Sequence, residues 1–178
     1  MMEDLHKLFG HRWLTPKARP GKSIVDNYGT IASQDIKKGE IIRVTGGMVL
    51  QKKDLKKYHK LIHGNFEMQI SDNFFLAPAT PEEVGTETGL FNHGCDPNIG
   101  FLDAVTLIAI KDIVAGVELL IDYGFALSFF EPFKCKCGSA NCRKIIKPDD
   151  WKNPELQKKY GEYFSPYLKR KFSALPST

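Results

Sequence analysis

Short apolar runs separated by turn residues dominate the chain from Ser23 onward. The runs are bounded by turns such as Lys38-Gly39 and Gly46-Gly47. Short strands joined by frequent turns predict a mainly β protein. The strands are predicted at residues 24–25, 29–32, 40–44, 48–50, 105–111 and 117–123, with a hairpin over 66–76 that turns at Ser71-Asp72-Asn73.

Two segments show a helical pattern instead. Residues 54–63 have apolar side chains at helical spacing with lysines between them, which predicts an amphipathic helix: Leu55, Tyr58, Leu61 and Ile62. Residues 154–172 show the same spacing, and Pro166 interrupts it, so two short helices are predicted there. The N-terminal residues combine prolines and bases with little periodicity and are interpreted as an arm.

Composition agrees with a folded globular protein. The 178 residues are 42% hydrophobic and 26% charged, which is ordinary for a single domain. The longest apolar run, residues 104–110, is far shorter than the ~20 residues that cross a bilayer, so no membrane contact is expected. The N-terminus carries acids where a secretory signal has bases, so we expect a soluble, intracellular protein. The compartment is left open, with the nucleus and delivery into a host cell as alternatives.

Charge is distributed unevenly along the chain. Residues 134–178 hold 11 basic and 4 acidic residues, a balance of +7, whereas residues 1–133 hold 14 and 17, a balance of −3. Such a split predicts two surfaces with different electrostatic partners. The alternative is a terminal helix whose lysines are simply solvated.

Three of the four cysteines lie in one short loop. Cys135, Cys137 and Cys142 form the pattern C-x-C-x4-C, and Cys95 lies forty residues upstream. A closed structural zinc site takes four ligands that converge tetrahedrally, so Cys95 would supply the fourth. Nearby bases would offset the negative charge of four thiolates: Lys134, Lys136, Arg143 and Lys144. Two disulfides are the alternative, which a reducing compartment disfavours.

Two further segments are dense in polar side chains next to apolar strands. They are residues 91–98, Phe-Asn-His-Gly-Cys-Asp-Pro-Asn, and residues 116–124, which end in Asp-Tyr-Gly. Taken singly, each has a purely structural explanation. Asn92 could cap a turn, His93 could be a satisfied core histidine, and Tyr123 could be a core aromatic residue.

Together with the cysteines, these segments resemble SET-domain protein lysine methyltransferases that carry a post-SET zinc loop. The likeness covers residues 23–146 and rests on four pieces in the family's order. They are Asn27-Tyr28-Gly29 for the G-x-G cofactor loop, residues 91–98 for F-x-N-H-S-C-x-P-N, residues 118–123 for E-L-x-x-D-Y, and the C-x-C-x4-C cysteines.

The resemblance implies a mainly β SET fold. Several small antiparallel sheets with a threaded pseudoknot would be joined by short helices and a helical C-terminal segment. The chain would divide into an N-terminal arm, a SET domain, a post-SET zinc loop and a basic C-terminal helical segment, at 1–22, 23–131, 132–147 and 148–178.

The resemblance also implies roles for individual residues. S-adenosylmethionine would be held by Asn27, Tyr28 and Gly29, largely through backbone groups. Phe66 would line the cofactor pocket, and Asn92 and His93 would bind the adenosine and amino-acid portions. Tyr123 would be the catalytic residue, and Ile121 and Val44 would line the channel for the substrate lysine. One structural zinc would be bound by Cys95, Cys135, Cys137 and Cys142.

The chain departs from the family pattern at five positions. Asn27 replaces a glycine, Gly94 a serine and Val44 a channel tyrosine, and Gly89 stands near a common arginine. Ile121 occupies a position that is often Phe or Tyr and that affects how many methyl groups are added. An aliphatic residue there favours di- or trimethylation.

The predicted function is transfer of methyl groups from S-adenosylmethionine to a lysine of a protein. We expect a basic substrate, such as a histone or a ribosomal protein, and residues 81–87 offer an acidic stretch for it. The basic C-terminal segment is expected to pack over the peptide or to contact nucleic acid bound to the substrate. The alternatives are a SET fold without catalysis that binds lysine-rich peptides, and a zinc-dependent nucleic-acid-binding protein.

Overall fold

A computed structural model describes residues 12–84 and 89–174 of the chain. Within these residues the strands are β1 (Trp13–Leu14), β2 (Ala18–Lys22), β3 (Tyr28–Ala32), β4 (Ile41–Val44), β5 (Met48–Gln51), β6 (Met68–Gln69), β7 (Phe74–Ala77), β8 (Asn92–His93), β9 (Ile99–Phe101), β10 (Thr106–Ala109), β11 (Leu120–Ile121), β12 (Phe133–Lys134) and β13 (Ile145–Ile146). The α-helices are α1 (Leu55–Ile62), α2 (Tyr123–Ala126), α3 (Pro154–Tyr160) and α4 (Pro166–Ser173).

The strands form small sheets, as the sequence predicts. Four sheets are antiparallel, with the orders β1-β4-β10-β9, β2-β3, β5-β7-β6 and β12-β13. The fifth pairs β8 with β11 in parallel. The mainly β fold class of small antiparallel sheets with short helices is thereby confirmed.

One hydrophobic core joins the sheets to the C-terminal helices. Phe125 of α2 is fully buried, and its ring centroid lies 4.8 Å from that of Phe164 and 5.3 Å from that of Tyr160. Leu168 of α4 is also fully buried in this core. The two short helices predicted around Pro166 are confirmed, and their apolar face packs on the helix that begins at Tyr123.

The basic side chains of the C-terminal segment are partly engaged within the fold. The Lys171 ammonium bonds to Asp72 of the β6–β7 hairpin, and the Lys169 ammonium donates to the Glu162 carbonyl at 2.6 Å. Arg170 between them is exposed. A nucleic-acid contact by this segment therefore has fewer free cations than the sequence suggests, and it stays a prediction.

Residues 13–22 pair with strands of the main fold, although the sequence suggests an arm. β1 joins β4 and β2 joins β3, with Pro20 accommodated in β2 because that strand is an edge strand. The sequence of β2, Ala-Arg-Pro-Gly-Lys, has no alternating apolar pattern, so periodicity does not predict this strand. Residues 1–11 lie outside the described part of the chain, and the domain boundaries stay predictions.

The other local predictions hold, with two differences. The strand predicted at 24–25 is a bend, because the Ile24 amide donates to Glu118 Oε2 and the Val25 amide to the Ser23 hydroxyl rather than to a neighbouring strand. The predicted helix at 54–63 is α1, and the predicted hairpin over 66–76 is the β6–β7 pair. The strand predicted at 117–123 is shorter, because the Asp122 carboxylate accepts a bond from the Gly124 amide and starts a helix at Tyr123. Each described helix has at most eight residues, and none of them is long and apolar enough to cross a bilayer.

Candidate active site

The candidate site lies around the parallel pair of strands β8 and β11, where two distant segments of the chain come together; we call this place the crossing of β8 and β11. Leu120 stands opposite Asn92 and Ile121 opposite His93. The Gly94 amide donates to the Ile121 carbonyl at 3.0 Å, which extends the pairing. This crossing brings together the two polar segments that the sequence singles out.

Asn98 fixes the register of this crossing. Its side-chain amide donates to the Glu118 carbonyl at 2.7 Å, and its side-chain oxygen accepts from the Leu120 amide at 2.8 Å. Both groups belong to the chain that leads into β11. Because Asn98 is buried, each of these bonds replaces one that water would otherwise make.

Asn92 is the centre of a compact polar cluster. Its side-chain nitrogen lies 2.9 Å from the Tyr28 carbonyl, 3.0 Å from the Ser23 hydroxyl and 2.9 Å from Glu118 Oε1. Glu118 is itself buried and accepts from the Ser23 hydroxyl and the Ile24 amide. The cluster ties the Asn27-Tyr28-Gly29 loop to the crossing of β8 and β11.

The backbone of this loop explains two of its residues. Asn27 has φ +35°, in the left-handed region that asparagine tolerates better than most residues, so it can stand where the family has glycine. A Cβ atom on Gly29 would lie 2.2 Å from Glu118 Oε1 and 3.0 Å from the Asn92 nitrogen. A side chain at position 29 would therefore displace the buried Glu118 carboxylate.

Gly29→Ala is expected to disrupt this cluster. The added methyl would displace the Glu118 carboxylate, so we expect a loss of about 1–3 kcal/mol in the free energy of unfolding, measured by chemical denaturation. The matched control is Gly161→Ala, because φ is −56° there and the nearest atom to an added Cβ is 3.9 Å away. Equal stability of the two variants would contradict the described packing.

His93 is a neutral, positioning side chain. Its Nδ1 accepts from the Tyr123 amide at 3.1 Å, so the ring proton is on Nε2, which lies 3.3 Å from the Cys95 sulfur. Burial lowers the pKa of His93 to about 4, against the raising effect of Asp122. His93 thus joins the backbone of Tyr123 to a cysteine of the cluster described below.

Tyr123 lies at the first turn of α2, with its hydroxyl turned back toward β8. Its Oη donates to the Phe91 carbonyl at 3.3 Å, and its ring meets the rings of His93 and Phe133 edge-on. Burial, together with the charge of Asp26, raises the pKa of Tyr123 to about 12. The hydroxyl is therefore protonated at neutral pH and acts as a hydrogen-bond donor rather than a base.

A cavity of about 520 Å³ opens beside Tyr123. Of the residues predicted to form the site, Phe66, Ile121 and Tyr123 line it. Its wall combines aromatic rings, Phe91 and Phe133 among them, with the charged side chains of Arg12, Arg43 and Glu67. The aromatic part of this lining suits a cation or a methylated amine, which aromatic faces attract.

Other predicted site residues lie outside this lining. Val44 is not among the described lining residues, although its neighbours Arg43 and Thr45 are, because successive side chains of a strand point to opposite faces. The loop 27–29 with Asn92 and His93 also stands apart from it. The cavity and the Asn92 cluster are thus two adjoining regions that meet at the crossing of β8 and β11.

The four cysteine sulfurs come together, as predicted. The sulfurs of Cys95, Cys135, Cys137 and Cys142 lie within 4.8 Å of one another, and all four cysteines are free. The Cys95 and Cys135 sulfurs are 3.8 Å apart. Thiolates about 2.3 Å from a tetrahedral zinc are separated by about 3.8 Å, so the donor set fits zinc and does not fit disulfides.

Backbone amides lie close to the sulfurs, and of the predicted bases Arg143 acts electrostatically on Cys95. The amides of Cys137, Arg143 and Lys144 lie 3.5, 3.4 and 3.4 Å from the sulfurs of Cys135, Cys95 and Cys142. Such donors stabilise thiolates and orient metal ligands. They add a second observation in favour of a metal at this cluster.

Arg143 joins the cysteine cluster to the helix that carries Tyr123. Its guanidinium makes two bonds to the fully buried Asp122 carboxylate, at 2.6 and 2.7 Å, and one to Asp150 at 3.1 Å. Burial alone would lower the pKa of Arg143, but the bonds to Asp122 hold it above its usual value. Asp122 in turn starts the helix at Tyr123, so one ion pair connects the cysteine-bearing loop to this helix.

Arg143→Ala is expected to destabilise the protein strongly. It leaves the Asp122 charge buried without its cation, which costs about 3–5 kcal/mol. The free energy of unfolding by guanidinium measures the effect, with Arg170→Ala as the control because Arg170 is exposed. A change within about 0.5 kcal/mol of the wild type, the range of ordinary surface substitutions, would show that this pair does not hold the loop.

Four polar residues of the site have no individual role in the prediction from sequence. Ser23, Glu118, Asn98 and Arg43 are a hydroxyl, an acid, an amide and a guanidinium beside or within apolar runs. A polar side chain in a buried strand needs a partner, and that requirement was the available signal. Which partner it finds depends on the crossing of distant segments, which local patterns do not give.

Comparison with known proteins agrees with this architecture. The family model for the SET domain matches residues 27–124, more than half of the chain. The chain belongs to the SET-domain family. The matched range contains the Asn27-Tyr28-Gly29 loop, the crossing of β8 and β11, and Tyr123.

Relatives of this SET domain include methyltransferases of longer chains. ASHH4 of Arabidopsis thaliana, a provisionally named histone-lysine N-methyltransferase, is 32% identical over 146 residues, which are 73% of this chain and 40% of ASHH4. The human histone-lysine N-methyltransferase that is H3 lysine-36 specific is 27% identical over 144 residues, 74% of this chain and 5% of that protein. The chain therefore spans less than half of either relative.

A solved structure shares the fold. The methyltransferase domain of human histone-lysine N-methyltransferase SETMAR superposes with a TM-score of 0.52 at 22% sequence identity. The match covers 70% of this chain and 55% of that one. The predicted SET fold is thereby confirmed.

Proposed function

We propose that this SET domain is a protein-lysine N-methyltransferase that uses S-adenosylmethionine and holds one structural zinc. The observation that carries the proposal is the position of Tyr123. Its protonated hydroxyl stands at the crossing of the two family segments and borders the cavity with Ile121 and Phe66. The relatives named as histone-lysine methyltransferases support the same reaction class.

In this proposal, positioning supplies most of the catalysis. S-adenosylmethionine, when bound, supplies a methyl group on a sulfonium, so that the N–C bond forms as the S–C bond breaks and the electron pair stays on sulfur. The Tyr123 hydroxyl and the Phe91 carbonyl hold the amine of the substrate lysine in line. Alignment of this kind can lower a barrier by roughly 7–11 kcal/mol.

The substrate amine must be neutral before it reacts. A free lysine has a pKa of about 10.4, and an apolar cavity disfavours its charged form. The rings of Phe91 and Phe133 provide the apolar part of the wall, and the guanidinium groups of Arg12 and Arg43 in the same lining also disfavour an ammonium. Tyr123 keeps its own proton at neutral pH, so the proton of the lysine leaves to solvent before the methyl is transferred.

The Asn92 cluster would hold the cofactor. The loop Asn27-Tyr28-Gly29 has no Cβ at position 29 and is fixed to Asn92 through the Tyr28 carbonyl. Its backbone, with that of His93, is the proposed cradle for the adenosine and amino-acid portions. The Tyr28 side chain is 69% exposed, so it is free to cover a bound cofactor.

Ile121 bears on the number of methyl groups. It is buried, it lines the cavity, and it offers no hydroxyl to retain a water molecule beside the amine. A methylated amine can then rotate into the space that water would fill. We therefore propose products with more than one methyl group.

The zinc would be structural. All four of its positions would be filled by cysteine sulfurs, so no position remains for water or substrate. Cys95 belongs to the segment that follows β8, and Cys135, Cys137 and Cys142 belong to the loop between α2 and α3. The ion would clamp that loop onto the crossing of β8 and β11.

Transfer of labelled methyl from S-adenosylmethionine to a panel of histones, ribosomal proteins and cell lysates tests the proposal. We expect label on lysine of a protein substrate, together with cofactor binding measured by calorimetry. If no substrate is labelled and the protein binds no cofactor, the proposed enzymatic function is contradicted and a peptide-binding SET module is favoured.

A further inference from the structure

Two arginines share one end of the cavity beside Tyr123. Arg12 and Arg43 both line it, and each donates to one backbone carbonyl, of Gly46 at 3.0 Å and of Gly89 at 3.1 Å respectively. The Nε atom of each guanidinium is buried without a hydrogen-bond partner. Among the described residues, no carboxylate lies within ion-pair distance of Arg43.

This arrangement costs stability in the absence of a ligand. Burial, and then the charge of Arg12, lower the pKa of Arg43 to about 9, so the guanidinium is still charged at neutral pH. Burial also lowers the pKa of Arg12, although Glu83 opposes that shift. Glu83 thus offsets part of the Arg12 charge, whereas the causes that shift Arg43 include no carboxylate, so the buried Arg43 guanidinium with its unused Nε is unfavourable unless an anion joins it.

We propose that Arg12 and Arg43 bind an acidic side chain of the protein substrate, close in sequence to the lysine that is methylated. The proposal rests on the proposed function and narrows its substrate class. The preferred lysine then has an aspartate or glutamate neighbour, even where the substrate protein is basic overall. Arginine is suited to this role because its planar donors match a carboxylate.

The surroundings of the two arginines favour the substrate over the cofactor as the source of that carboxylate. Of the residues predicted for the cofactor, the loop 27–29, Asn92 and His93 do not line this cavity and Phe66 alone does, whereas Ile121 and Tyr123 both line it. The same cavity also contains Glu67, whose Oε1 pairs with His59 at 2.9 Å and whose Oε2 is buried without a partner. The unpaired Nε atoms of the two arginines can donate to a carboxylate, and the unpaired Glu67 Oε2 can accept from an amine. Together they complement a substrate segment that carries both groups.

The test is a positional peptide library with a central lysine. Each flanking position carries glutamate, glutamine or lysine in turn, and both peptide binding and methyl transfer are measured. We expect the wild type to prefer glutamate over glutamine by roughly tenfold or more at one position, the size of a charge-assisted hydrogen bond. Arg43→Met and Arg12→Met should each reduce that preference to about twofold or less.

Three controls keep the result interpretable. The melting temperature of Arg43→Met should equal or exceed that of the wild type, because a buried unpaired charge is removed. Arg43→Lys, which keeps the charge but loses the planar fork, should retain only part of the preference. Arg170→Met, an exposed arginine of α4, should leave both preference and binding unchanged.

Several outcomes would overturn the proposal. One is the absence of a glutamate preference at every position, and another is a preference that survives in both Arg43→Met and Arg12→Met. A third is weaker binding of S-adenosylmethionine in these variants with the peptide preference intact, which would assign the arginines to the cofactor. Glutamate-selective binding without any methyl transfer would instead support the subsite and contradict the proposed enzyme.

Discussion

Tyr123→Phe is expected to reduce methyl transfer by roughly 100-fold or more, the usual effect of removing a hydrogen-bonding group that is fixed at a reacting centre. The hydroxyl donates its proton to the Phe91 carbonyl at 3.3 Å, so its oxygen is left to accept from an N–H of the substrate amine. The phenylalanine ring would keep the edge-on contacts with His93 and Phe133. The substitution therefore removes one oxygen and leaves the packing in place.

The measurement is the initial rate of label transfer, with cofactor binding and melting temperature determined on the same samples. Cofactor affinity should change by less than about threefold, since a difference of about 0.6 kcal/mol is within the range of remote effects. Tyr163→Phe is the matched control, because Tyr163 lies in the C-terminal segment and does not line the cavity. A Tyr123→Phe enzyme with wild-type rate would remove Tyr123 from the proposed mechanism.

Loss of zinc is expected to unfold the site. A structural zinc contributes several kcal/mol, and each kcal/mol shifts the melting temperature of a chain of this size by about 2–4 °C. We expect a strong chelator, or Cys135→Ser, to lower the melting temperature by roughly 10 °C or more. Transfer activity should fall with it, because Cys95 contacts His93, which accepts from the Tyr123 amide, and Arg143 binds the neighbouring Asp122.

Zinc content by elemental analysis accompanies this measurement. The wild type should contain one zinc per chain and Cys135→Ser much less. Lys136→Ala is the matched control, since Lys136 lies between two of the cysteines and is exposed. A metal-free wild type with the same melting temperature as the zinc-loaded protein would contradict a structural role for the ion.

The sequence predicts the parts of this fold whose signals are local. The α1 helix follows from lysines between apolar residues, and the β6–β7 hairpin follows from its polar turn. The cysteine cluster could be predicted because zinc imposes a known number and type of ligand. The site roles of Tyr123 and of the residues in the other family motifs are predicted from those motifs, because periodicity indicates secondary structure and not chemistry.

Other features depend on contacts between distant segments. β2 contains a proline and a glycine, so the sequence predicts an arm there, but the strand pairs with β3 along its whole length. The strand that ends at Leu120–Ile121 gives way to a helix because Asp122 has two partners, the Gly124 amide and Arg143. Arg143 lies twenty-one residues away, so no local pattern could give that result.

The cavity illustrates the same limit. The family pattern points to Val44 as a channel residue, but the strand turns Arg43 and Thr45 toward the cavity and leaves Val44 outside the described lining. The direction of a side chain on a strand changes with a shift of one residue. The β4–β10 pairing has such an irregularity, between Leu107 and Ile108.

The most direct test of the central claim is the chemical identity of the methylated residue. Protein labelled by the wild-type chain from S-adenosylmethionine is hydrolysed completely, and the labelled amino acids are separated against standards. The account predicts that the label travels with ε-N-methylated lysine, and with di- or trimethyllysine in excess at long reaction times. Label in methylarginine or in a base-labile methyl ester, or none in any amino acid, would contradict it.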